Sequence, residues 1–257
     1  MPFASLEAGL LTFSLCLALS LLAYYKEVLT KGGALAAFFA GLVIGVAGDV
    51  TWLVLLLFFL LSSFAATRYR FALKEAMGVQ EGKRGERGAT NVLANGFAPM
   101  AMAVLSALSL PFLPVARAGL VFLSSLAVAG ADTLASEIGV LSDKVRLITT
   151  FKRVKPGTNG GVSLLGQVCA IAASMYTALF GWLVLFYFPG FVGLTVTLPS
   201  ESWLLFIPAV VGFVGCQVDS VLGATLESRG WIHKKGVNLV ATSTGALLAY
   251  LLLLWLV

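Results

Sequence analysis

The chain has a single histidine, His233. That leaves nothing from which to build an imidazole metal site or a Ser-His dyad, and His233 reads as an interfacial polar residue. The three cysteines, Cys16, Cys169 and Cys216, stand far apart, each in an apolar stretch. This excludes a disulfide framework and leaves small apolar packing residues. Charge is also scarce: 11% of residues are charged, where a soluble domain has about 25%. Apolar types make up 59%, and the mean hydropathy is +0.97. A soluble fold of this composition would have no polar shell, so its surface must face lipid. The first apolar run, Ala8 to Tyr25, lacks a basic leader and a small-residue cleavage site, and reads as a retained helix. No transit segment or soluble domain is visible, which points to a prokaryotic plasma membrane.

What the chain does have is apolar runs. A helix needs about 20 apolar residues to cross the hydrocarbon core. Eight runs qualify or nearly do, roughly 8–25, 33–48, 50–66, 96–113, 115–138, 162–188, 203–225 and 236–257. The expected fold is an all-α integral membrane protein of about eight spans, one polytopic domain over 1–257. The second and third runs, split only by Asp49, read as two short helices or a re-entrant hairpin. Charge tests the parsing. With the N-terminus outside, the inner segments 26–32, 67–95, 139–161 and 226–235 collect every lysine and arginine except Arg117. The positive-inside rule then sets both termini outside. The net charge of +5 is thus directed at anionic head groups or phosphates, not at nucleic acid. The outer connections, Pro111 to Pro114 and Pro189 to Glu201, are plain. The inner ones are rich in Gly, Asn and Thr, so a polar site is expected at the cytoplasmic face.

Two intramembrane carboxylates stand out, because each costs roughly 2.5–3.5 kcal/mol at a helix centre on insertion scales. Asp132 lies in the fifth span and Asp219 in the seventh, both in the inner half, and Glu137 and Glu227 follow them toward the surface. Helix-packing glue is one reading; the similar make-up of the two segments favours a shared site. At the same face, four helices are expected to begin with glycine and asparagine. They start near Lys31-Gly32-Gly33, near Arg87 to Asn91 and Asn95, near Lys155 to Ser163, and at Gly236-Val237-Asn238. Such starts offer free N–H groups and bind phosphate, although any one of them could be a plain cap. Together the residues suggest a pocket in which helix starts and Lys/Arg hold phosphates while the carboxylates hold Mg²⁺.

The strings Asn91-Val92-Leu93-Ala94-Asn95-Gly96, Ala131-Asp132-Thr133-Leu134-Ala135-Ser136-Glu137-Ile138-Gly139, Pro156-Gly157-Thr158-Asn159-Gly160-Gly161-Val162-Ser163 and Asp219-Ser220-Val221-Leu222-Gly223-Ala224 resemble the family known as domain of unknown function 92. That family includes the transmembrane protein 19 group and the plant phytyl-phosphate kinase of tocopherol synthesis. The likeness runs along nearly the whole chain, although Leu134 stands where a tryptophan is associated with the second string. The resemblance implies a phytyl- or geranylgeranyl-type monophosphate kinase, which moves a phosphoryl group from CTP or ATP to the lipid phosphate. It implies that Asp132 and Asp219, with Glu137, hold the metal. Lys152, Arg153, Lys155, Thr158, Asn159, Gly160, Gly161 and Ser163 would hold phosphates, with Lys155 acting on the transferred group. Arg87, Asn91, Asn95 and Asn238 would complete the pocket.

The main alternative is an ion-coupled transporter of an anionic or lipid substrate, which also uses intramembrane carboxylates and broken helices. A transporter needs polar groups reaching both faces, whereas here they crowd the inner one. A lipid-alcohol kinase or CDP-alcohol transferase would want a base beside the acceptor hydroxyl, and a purely structural protein would use its polar groups only to pack helices.

Overall fold

Leucine-rich runs without interior charge make long helices, and the computed structural model, which describes residues 6–108, 115–187 and 202–256, is built from them. The expected outer segments Pro111–Pro114 and Pro189–Glu201 lie outside the described residues. The helices are α1 (Leu6–Tyr25), α2 (Lys31–Val43), α3 (Val50–Arg68), α4 (Phe71–Ala76), α5 (Ala89–Ala107), α6 (Val115–Gly139), α7 (Leu164–Tyr187), α8 (Phe206–Leu222) and α9 (Lys234–Leu256). Seven are long and apolar enough to cross a membrane, α2 and α8 counting with the wider π turns that extend them to Gly48 and Glu227. The more polar α5, with 19 residues, packs among α2, α6 and α9 as the eighth long helix.

The 33–66 region resolves into two helices. Asp49 ends the first and caps the second: its Oδ1 accepts from the Thr51 amide at 2.7 Å. It therefore satisfies an orphan helix donor. Two elements differ from expectation. The helix after the 67–95 segment starts at Ala89, not near residue 96, because Asn91 and Asn95 are inside it. The 139–161 connection is not a plain loop but a small antiparallel sheet in the order β2-β1-β3, with β1 Val145–Leu147, β2 Arg153–Val154 and β3 Gly161–Ser163.

The bundle is organised around α6. Its span is 83% buried, against 22% for α1. Leu120, Val121, Phe122 and Leu123 are at most 1% exposed, and Trp52 of α3 stacks on Phe122 at 4.4 Å between ring centroids. In lipid, helices associate by close packing rather than by hydrophobic expulsion, so small residues mark the contacts. Gly181 of α7, Gly212 and Gly215 of α8 and Gly245 of α9 each face Leu123, Ala127 or Val128 so closely that a Cβ would collide. Ser124 and Ser125 of α6 donate back to the carbonyls of Leu120 and Phe122, so that no hydroxyl proton of theirs is left unpaired in the core.

Contacts tie together the helix ends that carry the basic residues. Lys74, on the short helix α4, is fully buried. Its Nζ donates to the Ala66 and Thr67 carbonyls that end α3 and to Glu137 Oε2 at 2.6 Å. Thr67 Oγ1 donates to the other Glu137 oxygen at 3.2 Å. Glu81 straps the 77–88 segment to α9: its carboxylate receives Lys234 at 3.1 Å and Lys235 at 2.7 Å. Thr30 N donates to the Arg87 carbonyl and Arg87 N to that of Val28, which fixes Arg87 against the α1–α2 turn. Inner segments thus meet at one end of the bundle, while Arg117 stands in the opposite, first turn of α6. This is the end that the positive-inside rule assigns to the cytoplasm.

Removing one partner of a buried ion pair typically costs about 3–5 kcal/mol. Lys74→Ala should therefore lower the melting temperature of the detergent-solubilised protein sharply, and Lys74→Met with Glu137→Gln should recover part of it; an unchanged single variant would dismiss the pair as a structural tie. The Glu81 strap has a pH signature. Burial pushes its carboxyl up, but Lys234 and Lys235 outweigh this and hold it at about 2, below the ordinary 4.5. A depressed carboxyl stabilises the fold above its unfolded value and loses that contribution as pH falls toward the folded one. The melting difference between wild type and Glu81→Gln should be constant from pH 7 to about 5 and shrink toward pH 2.

Candidate functional site

Among the described residues, two cavities reach the inner end. The polar one, of about 260 Å³, lies between α6, α7, α8 and the turn that leads into β3. Asp132 comes to it from the enclosed helix α6. Asp219 comes from the last turns of α8, just before the helix widens into the π turn Gly223–Glu227; such turns recur at functional sites. Both carboxyl groups line the cavity, and each bears on the charge of the other. Asp219 Oδ2 is buried and has no partner. Lys234, Arg87 and Lys235 are the cations whose charge bears on Asp132.

One wall of this cavity is a glycine turn. Gly157 and Gly160 adopt φ values of +82° and +71°, where a side chain would be strained. A Cβ on Gly160 would also meet the Ala224 amide nitrogen at 2.5 Å, and one on Gly223 would meet Gly160 N at 2.9 Å. The Pro-Gly-Thr-Asn-Gly-Gly and Asp-Ser-Val-Leu-Gly-Ala strings are therefore two sides of one backbone-on-backbone contact. Behind it, a Cβ on Gly139 of α6 would lie 2.7 Å from Gly166 Cα of α7. Ser163 closes the joint: its hydroxyl donates to the Gly139 carbonyl at 3.0 Å and accepts from the Gly166 amide at 3.1 Å.

Of the expected phosphate ligands, Thr158, Asn159, Gly160, Gly161 and Ser163 line this cavity. The Ser163 proton, however, is committed to Gly139, so this residue caps α7 and joins it to α6. The α7 helix begins only at Leu164, and the glycine turn ahead of it is not a helix start. Lys152, Arg153 and Lys155 are exposed and do not line the cavity. The sheet order explains this: β3 abuts the bundle, and β2 lies at the far edge with β1 between them. Glu137, expected as a third metal ligand, turns both oxygens to Lys74 and Thr67. Among the described residues no cluster of three metal-ligating side chains forms. Asn238 is buried on α9 with its Oδ1 unpaired, and it is absent from the cavity wall.

Arg87, Asn91 and Asn95 line the second cavity, a narrow apolar slot between α1, α2, α3 and α5. Arg87 still lies within the electrostatic reach of Asp132, Glu81 and Glu137. Sequence reasoning missed Lys234 and Lys235 as site residues, although a basic pair directly ahead of Gly236-Val237-Asn238 and an apolar run was a usable signal. Glu81, Lys74 and Gln167 carried none.

No solved structure matches this chain. Relatives do. A membrane protein of Methanocaldococcus jannaschii, named as uncharacterised, is 29% identical over 91% of this chain and 90% of its own length. One from Synechocystis, also named as uncharacterised, is 33% identical over 87% of this chain and 82% of its own. Protein VTE6, chloroplastic, of Arabidopsis thaliana is 31% identical over 87% of this chain and 65% of its own. The profile described as integral membrane protein DUF92 matches residues 14–246. On that match, which takes in both aspartates, the glycine turn and the slot, the chain belongs to the DUF92 family of integral membrane proteins.

Proposed function

We propose that this protein is a phosphotransferase that converts an isoprenyl monophosphate to the diphosphate at the cytoplasmic membrane face, with CTP or ATP as donor. The observation that carries the reading is the Asp132–Asp219 pair, half-buried in the wall of a glycine-lined polar cavity that Lys234 also lines. Kinship supports it too, since the chain's motifs resemble the plant phytyl-phosphate kinase branch of the family.

Two carboxylates that line one cavity repel unless a proton or a cation is shared between them. Asp219 Oδ2, buried and unpaired, is an oxygen suited to a hard cation. Mg²⁺ is commonly held by one or two carboxylates plus substrate phosphates, so Asp132 and Asp219 suffice as its protein ligands. Bound there, it would neutralise phosphate charge. The Gly157–Gly161 turn would bring backbone N–H groups close to the donor's phosphates, and Lys234 would offset charge on the transferred group. In the reaction, an acceptor phosphate oxygen forms a bond to the γ-phosphorus as the bond to the β–γ bridging oxygen breaks and the nucleoside diphosphate leaves. The acceptor oxygen is already anionic, so no proton has to be abstracted. This agrees with a site that has carboxylates and lysine but no histidine.

A transporter would need a polar route to the other face. Among the described residues, the outer half of α6 is packed with Leu120, Val121, Phe122 and Leu123 against Trp52, which favours a one-sided site.

The test is transfer of label from γ-labelled CTP or ATP to geranylgeranyl or phytyl monophosphate by the purified protein with Mg²⁺. Loss of one electrostatic group at a reacting centre typically costs about 10²–10³ in rate. Asp132→Asn and Asp219→Asn should each fall by at least that much while remaining folded, and full turnover in both would remove the aspartates from the chemistry.

A further inference from the structure

One side chain bridges the linings of the two cavities. Glu81 Oε1 accepts from Asn91 Nδ2 at 3.3 Å and from Lys235 Nζ at 2.7 Å, and Oε2 accepts from Lys234 Nζ at 3.1 Å. Asn91 lines the apolar slot and Lys234 lines the polar cavity. An anion at this point therefore touches both. The position is over-supplied with positive charge: two lysines face one carboxylate, and Arg87 adds a third cation within electrostatic reach. Arg87 is 5% exposed, its Nε has no partner, and it lines the slot. Three converging donors and a surplus of positive charge suit a phosphate dianion with three terminal oxygens better than a carboxylate.

The slot that leads away from this point is walled by small residues, Ala23, Ala37, Ala40, Gly41 and Gly96, with leucines and Phe59 beyond. These residues leave room for one apolar chain. The polar groups stand on the slot wall itself, so the phosphate has to be attached to the chain directly, without a glycerol spacer. We propose that the slot seats a single-chain prenyl monophosphate, with its tail between α1, α2, α3 and α5 and its phosphate at Arg87, Asn91, Lys234 and Lys235 in the place that Glu81 fills. Glu81 is then a stand-in anion that the substrate displaces, and the displaced group frees the 77–88 segment as the acceptor phosphate reaches the polar cavity. The proposal rests on the kinase reading for its substrate class, but its geometry is tested without any nucleotide.

The experiment is equilibrium binding of labelled geranylgeranyl monophosphate to the full chain in nanodiscs, with no nucleotide present. Glu81→Gln removes the competing charge and should tighten binding roughly tenfold, about 1.4 kcal/mol. Gly96→Leu fills the slot where a Cβ would meet only Met100 Cε at 3.9 Å and Ala40 Cβ at 4.0 Å, so the backbone has room for it. It should weaken binding of the long-chain phosphate at least roughly tenfold and leave that of isopentenyl monophosphate, whose chain is too short to reach it, unchanged. Wild-type affinity in both variants, or no binding to the wild type, overturns the seat. Label transfer measured on the same preparations separates the two ideas. Transfer with affinities indifferent to both substitutions keeps the kinase and overturns the seat, whereas the expected affinity changes without transfer keep the seat and remove the kinase.

Discussion

Enclosure of α6 on every side is the constraint from which the rest of the structure follows. A helix in lipid can usually turn its polar groups toward a headgroup; one wrapped by α3, α5, α7, α8 and α9 must have them met from within the bundle. Its hydroxyls must bond to its own carbonyls, as Ser124 and Ser125 do. Its neighbours must present glycine where they cross it. Its carboxylates can be accommodated only at the inner end, and only if other elements bring partners to them. Lys74 comes to Glu137 from α4, and Asp219 comes to Asp132 from α8. The ring of cations follows from the same need, since an isolated charge in such a place costs several kcal/mol.

The same constraint divides the labour among the helices. α1 is the least buried span and forms one wall of the apolar slot; α6 and α8 carry the carboxylates; α9 opens with the lysines that stand between the two cavities. The small sheet adds what helices cannot supply, a turn whose backbone is bare enough to lie on the π turn of α8.

Much of this was legible in the sequence. The eight apolar runs marked the long helices, the one-sided basic residues marked the end of the bundle where the inner segments gather, and the paired Asp segments both line the polar cavity. Asp49, ambiguous as a single letter, became a cap once the two helices were in place. Illegible parts depended on contacts distant in the chain. Nothing local in Phe71–Ala76 says that Lys74 will be buried, because its partner is on another span. Lys152, Arg153 and Lys155 looked like phosphate ligands because the segment was read as the start of a helix. Strand pairing carries them to the outer edge of the sheet instead. The glycines at 157 and 160 were noticed for what they might bind. Their first requirement is geometric, since Val79 leaves no space for a side chain at 157 and Ala224 leaves none at 160.

The Lys74–Glu137 tie also bears on the order in which the chain can be assembled. Lys74 precedes its partner by 63 residues. When α1 to α3 have left the ribosome, no α6 exists to receive that lysine, and an unpaired ammonium will not stay in an apolar interior. α1 to α3 must therefore wait, half-docked, with α4 riding at the headgroup level where a lysine is welcome. Only when α6 inserts can α4 fold inward and lock the end of α3. The N-terminal third of this protein is synthesised first and finished late.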